Sequence, residues 1–215
     1  MSRPQPTERA LLNGPDGIIE VLIDTPEKAR GIAIVAHPHP LFGGANTNKI
    51  AHTLARTFRD LGYAAVRPNF RGVGESEGEH DHGMAETEDL LAVLAWAQSR
   101  WGALPIGIGG FSFGAYVQTR VIARLEGSVT PPRHIVLVGL ASGEVSGARS
   151  YTTEPVPAHS LVIHGEQDET VALANVLDWA RPQTLPVVVV PGADHFFHGK
   201  LNIIRELMLR SWQAL

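Results

Sequence analysis

The residues best suited to chemistry in this chain are a serine set between glycines, a group of carboxylates and a set of loop histidines. Gly110-Phe111-Ser112-Phe113-Gly114 matches the pattern G-x-S-x-G. In that pattern the serine sits on a tight turn with strained backbone angles, and residues two positions away on either side must be very small. Such a turn lifts the hydroxyl to the end of a strand. It also aims the start of the following helix at the site, where the helix dipole favours developing negative charge. The simpler alternative is a serine that only caps a helix. An apolar strand run at 106–109 and a helical run at 113–125 give the pentapeptide the strand–turn–helix context that a nucleophile needs.

An alcohol is a poor nucleophile near neutral pH. It needs a base to take its proton, and the base needs a group to orient it. Downstream of Ser112 lie His134, His159, His164, His195 and His198. His195, in Gly192-Ala193-Asp194-His195-Phe196-Phe197, follows the last strand and precedes the last helix, so its loop reaches the strand-end face. His198 is its local rival and could instead contact the final helix. His134 begins a strand, at the opposite face, and His164 ends one just before an acidic loop that it could brace. That loop offers Glu166, Asp168 and Glu169. Asp168, one short turn beyond its strand, is preferred over Glu166, although it could also cap a helix at 171–180. Asp194 adjoins the histidine and Asp178 falls inside a helix, which makes both weaker.

Acyl transfer places negative charge on a carbonyl oxygen, and two fixed N–H donors should meet it. One is the backbone N–H of Phe113, next to the nucleophile. The other should come from the loop His37-Pro38-His39-Pro40-Leu41-Phe42 after an apolar strand at 31–36. The prolines have no N–H, which leaves His39 first and Leu41 second. His37 and His39, like His80 and His82, could suggest a metal. No further spaced ligand completes either set, so no metal is expected. The segment from Asn69 to Ser76 is rich in glycine but lacks a phosphate-loop lysine; its Arg71 could brace neighbouring loops. No cofactor is implied.

The elements that must position these residues alternate in type. Strands are expected at 18–23 (in a hairpin with part of 7–12), 31–36, 64–68, 106–111, 134–140, 160–164 and 187–190. The last, four valines in a row, reads as a central parallel strand. Helices are expected at 48–61, 86–101 (with Leu90, Leu91, Leu94 and Ala97 facing the sheet), 113–125, 171–180 and 200–213, and 141–159 reads as a loop. This alternation argues for βαβ units, about six parallel strands and a three-layer α/β/α sandwich, with ligands at the carboxyl ends of the strands. The 215 residues suit a single domain, 1–215. Absence of cysteine excludes disulfides and thiolate chemistry, and a net charge of −4 argues against nucleic acid and anionic membranes. No apolar signal or membrane-spanning run is present, so a cytoplasmic location is expected.

Five strings fall in a telling order: HPHPLFGG, NFRGVGESEG, GFSFG, HGEQDETV and GADHFF. Through them the chain resembles the α/β-hydrolase superfamily over almost its whole length, and within it the small bacterial serine hydrolases without a cap, with a distant similarity to dienelactone hydrolases. The resemblance implies a mostly parallel sheet and the order Ser112, Asp168, His195 for nucleophile, acid and base. It also implies that His37-Pro38 stands where relatives have His-Gly, which points to His39 as the second donor. Because 141–159 is too short for a cap, it implies an open site walled by Leu41, Phe42 and Tyr151. The expected activity is carboxylic-ester hydrolysis of a small acyl substrate through an acyl-serine. Thioester, peptide or lactone hydrolysis by the same residues is the alternative, and a non-catalytic binding protein the remaining one. The sequence is silent on oligomeric state.

Overall fold

The computed structural model describes residues 6–147 and 149–212. Residues 1–5, Ala148 and residues 213–215, with Gln213 at the end of the expected last helix, lie outside them. Strands β1 (Glu8–Gly14) and β2 (Gly17–Asp24) form an antiparallel hairpin. There follow β3 (Gly31–Ala36), α1 (Lys49–Asp60), β4 (Tyr63–Pro68), α2 (Met84–Trp101), β5 (Ile106–Phe111), α3 (Phe113–Arg124) and β6 (Pro132–Val138). The chain continues through β7 (Gly143–Val145), β8 (Arg149–Tyr151), β9 (Leu161–Gly165), α4 (Leu173–Ala180), β10 (Val187–Val190) and α5 (Leu201–Trp212).

The main sheet has eight strands in the order β1-β2-β4-β3-β5-β6-β9-β10. The six from β4 to β10 are parallel, as expected, and the hairpin extends one edge in antiparallel register. Helices cover both faces, giving the three-layer α/β/α sandwich of an α/β hydrolase without a cap. On one face α1 and α5 bury Ile50, Leu54, Phe58, Ile204 and Met208 against the sheet. On the other, α2 and α3 bury Leu90, Val93, Leu94, Val117 and Val121. The pattern of α1 is amphipathic, and Asn48 caps it: its Oδ1 accepts from the N–H groups of Ile50 (2.9 Å) and Ala51 (3.3 Å).

Two expectations need correction. The valine run β10 is an edge strand, and three of its four residues are only half-buried. A continuous apolar run reports helices over both faces, and Val187 and Val190 do pack towards opposite cores. It says nothing of whether both strand edges are paired. In α2, the half-buried Leu91 packs against the core as expected, and Val93 joins it there fully buried. The segment 141–159 is not all loop, since β7 and β8 pair as a small antiparallel hairpin. Among the described residues, no helix is long and apolar enough to cross a membrane.

Candidate active site

The parallel strands deliver the chemical residues to one end of the sheet. Ser112 directly follows β5, His39 lies three residues beyond β3, Asp168 three beyond β9 and His195 five beyond β10. Ser112 has φ 56° and ψ −119°, a backbone region disfavoured for side-chain-bearing residues. Close packing explains the flanking glycines. A Cβ on Gly114 would fall 2.3 Å from the His37 carbonyl oxygen, and one on Gly110 would fall 2.6 Å from Ala115 Cα. At position 114 the pressure comes from the end of β3, against which the start of α3 is pressed.

Ser112 occupies the N-cap position of α3, yet its side chain makes no capping bond. Its Oγ lies 3.0 Å from His195 Nε2, and His195 Nδ1 lies 2.7 Å from Asp168 Oδ2. An ionised carboxylate can only accept, so Nδ1 carries the proton and the Nε2 lone pair faces the serine hydroxyl. All three side chains are buried. Asp168 divides its oxygens between two tasks: Oδ2 holds His195, while Oδ1 accepts from the N–H groups of Thr170 (2.9 Å) and Val171 (2.7 Å). That is a local turn and not a cap of α4, which begins later, at Leu173.

The rival residues serve elsewhere. Glu166 accepts from Gly192 N–H at 2.8 Å and so ties the acid loop to the histidine loop. His198 is exposed and pairs with Asp194, whose carboxyl it holds below its ordinary value. His134 stacks on Trp212 with ring centroids 3.4 Å apart. His159 Nε2 lies 3.3 Å from the Pro132 carbonyl oxygen. His164 does brace the acid loop, with Nε2 2.9 Å from Val171 O and 3.5 Å from Asp168 Oδ2.

The loop after β3 is clamped by His37. Its Nδ1 lies 2.6 Å from Pro38 O, and its Nε2 accepts from Phe70 N–H at 2.9 Å. Nδ1 therefore donates, and accepting at Nε2 requires a neutral ring; burial pushes its pKa down to about 4. Of the two candidate donors, Leu41 N–H is turned to the ring Nδ1 of His39 at 3.3 Å. The His39 N–H is the better placed, because it makes no hydrogen bond to any described residue. Phe113 opens α3, so its N–H is one of the helix's orphan donors. Arg71 braces the adjoining loop through paired bonds of 2.9 Å to Asp89. His80 lies 2.7 Å from Glu86, and no group of three metal-binding side chains is found among the described residues.

Ser112 and His195 open into a cleft of about 320 Å³ walled by Pro38, Phe42, Arg149 and Phe196. Of the expected walls, Phe42 lines this cleft. Leu41 and the buried Tyr151 line a neighbouring cavity of about 690 Å³ instead. Tyr151 is drawn there because β8 packs its ring 4.8 Å from that of Tyr116. Arg149 and Phe196 were missed. The turn Ser146-Gly147 between two short alternating stretches is the hairpin signal that could have found Arg149.

Residues 18–143 match the model of the X-Pro dipeptidyl-peptidase (S15) family. A serine hydrolase without a lid from Xanthomonas campestris superposes with a TM-score of 0.86 and 35% identity, covering 99% of this chain and 96% of that one. A serine hydrolase homologue from Coxiella burnetii gives 0.82 and 39%, covering 97% and 99%. Lysophosphatidylserine lipase ABHD12 of Danio rerio is 36% identical over 107 residues, 47% of this chain but only 28% of the lipase's own length.

Proposed function

This chain belongs to the X-Pro dipeptidyl-peptidase (S15) family, is a serine hydrolase of the α/β fold, and, we propose, cleaves carboxylic esters through an acyl-serine formed on Ser112. The observation that carries this reading is the unbroken line from Asp168 through His195 to Ser112, with contacts of 2.7 and 3.0 Å. His195 Nε2 removes the hydroxyl proton as Oγ attacks the ester carbon. The oxyanion is met by the N–H groups of Phe113 and His39, each worth about 3–4 kcal/mol in such a role. Collapse expels the alcohol, which takes the proton from His195. Water then enters, loses a proton to the same ring and releases the acid. Asp168 keeps the ring in the productive tautomer and stabilises its charged form.

The serine cleft shares Gly43, Asn48 and Phe196 with a mainly apolar cavity of about 580 Å³ reaching Ile50 and Leu201. That cavity is the proposed seat of an apolar acyl chain. The test is turnover of esters of graded chain length, beside a thioester and an X-Pro peptide amide, with the Ser112→Ala chain as blank. Esters should be hydrolysed, and kcat should fall by about 10⁴–10⁶-fold in the variant. Undiminished ester hydrolysis by Ser112→Ala would refute the assignment. The family match favours a second reading, peptide hydrolysis by the same residues; a higher kcat/KM on the amide than on every ester would put it first.

A further inference from the structure

On the other side of Phe42 the cleft meets a cavity of different chemistry. The 690 Å³ cavity shares His39, Phe42, Gly147 and Arg149 with the serine cleft, so the two are continuous along one wall. It contains two guanidinium groups, Arg120 from α3 and Arg149 from β8. Neither forms an ion pair with a carboxylate among the described residues. Arg120 Nε is buried with no hydrogen-bond acceptor, and its Nη2 faces the thioether of Met84 at 2.8 Å. Arg149 bonds neutral oxygens, the carbonyl of Ser146 through Nε (3.2 Å) and Nη2 (2.7 Å) and the Tyr151 hydroxyl, and lies 4.3 Å over the Phe42 ring. Glu154 also lines the cavity, yet it pairs with neither arginine. The other arginines that line the protein's buried seams, Arg67 and Arg71, are each matched by an aspartate.

A guanidinium held in a cavity wall without a counter-charge is costly unless an anion completes it. The positive field reaches the loop beside the nucleophile. After burial, the largest cause, the Arg149 guanidinium is among the groups that press His39 towards its neutral form. We propose that this cavity is an anion subsite, so that the preferred substrates are esters bearing a carboxylate or phosphate on the group that extends past Phe42, with the apolar chain on the Phe196 side. The proposal rests on the ester-hydrolase reading above and adds the chemical class of its substrate.

The experiment compares matched esters that differ only in the charged group. One pair is butyl butyrate and 4-(butyryloxy)butanoate; the other is butyryl glycerol and butyryl glycerol phosphate. The intact chain should favour the anionic member in one or both pairs by about tenfold or more in kcat/KM, the size of one charge-assisted hydrogen bond. The pair that shows the preference distinguishes carboxylate from phosphate. Arg120→Met should reduce the preference ratio most of the way to one, mainly through KM. Raising ionic strength should shrink the same ratio in the unmodified chain, a reading that needs no substituted protein to fold. Equal turnover of neutral and anionic members, or a preference indifferent to both salt and Arg120→Met, would overturn the anion subsite alone. If no ester of either pair is turned over, the ester reading falls and this inference falls with it.

Discussion

His37 gives the account a quantitative handle, because the clamp on the loop that presents His39 N–H works only while the ring is neutral. Its Nε2 accepts from Phe70 N–H, and protonation would place a proton between the two. In the folded chain its pKa is about 4, against 6.5 for a free imidazole. A base whose folded pKa is depressed contributes no penalty above its unfolded pKa. It destabilises increasingly as pH falls through the window between the two values, where the unfolded chain binds the extra proton. The whole shift corresponds to about 3.4 kcal/mol, and the part lost between pH 7 and pH 5 to about 2 kcal/mol. The perturbation is His37→Gln, which keeps a neutral donor and acceptor but cannot titrate. Urea denaturation of both proteins at the two pH values supplies the comparison. His39 and His134, also pushed down to about 4, titrate in both chains and cancel in the difference. The unmodified chain should lose about 2 kcal/mol more than His37→Gln on going from pH 7 to pH 5. Parallel losses would refute the neutral, buried clamp.

Two further substitutions probe the same end of the sheet. Gly114→Ala puts a methyl group 2.3 Å from the His37 carbonyl oxygen. It should cost roughly 1–3 kcal/mol, lower Tm by roughly 3–10 °C and reduce kcat by about 100-fold as the elbow and the donor loop are forced apart; an unchanged Tm and kcat would show that the two are not in contact. Asp168→Asn should keep the bonds to Thr170 and Val171 through its carbonyl oxygen while turning an amide N–H towards His195 Nδ1. The imidazole is then driven to the other tautomer, and kcat should fall by about 10⁴-fold with little change in Tm. Normal turnover in this variant would remove Asp168 from the mechanism.

Much of this arrangement could be read from residue types because the constraints are local and severe. The elbow needs glycines at 110 and 114, and its strand and helix follow from apolar runs on either side. Asp168 and His195 fall on short loops that directly follow β9 and β10, so naming the strands nearly named the loops. Asn48, Gly62 and the apolar face of α1 fixed that helix to within a residue. Properties set by long-range packing were not legible. That Val187–Val190 lies at an edge depends on the order of strands far apart in sequence. That Tyr151 turns away from the serine depends on Tyr116, 35 residues earlier on α3. Arg149 was lost because the hairpin turn at Ser146-Gly147 is flanked by strands of only three residues, a weak signal in a stretch that reads as loop, and with it went the charge of the second cavity. Phe196 was passed over because an apolar residue beside a histidine reads as packing, whereas it is half-exposed and walls the cleft.

The most direct test of the central claim is covalent trapping with a fluorophosphonate, followed by intact-mass measurement and peptide mapping. The serine should be labelled once, at residue 112. Ser112→Ala should take up no label, and His195→Ala should be labelled far more slowly, since its imidazole is needed to remove the proton. Labelling that is absent, that maps to another residue, or that proceeds at the normal rate without the histidine would contradict proton transfer from Ser112 to His195.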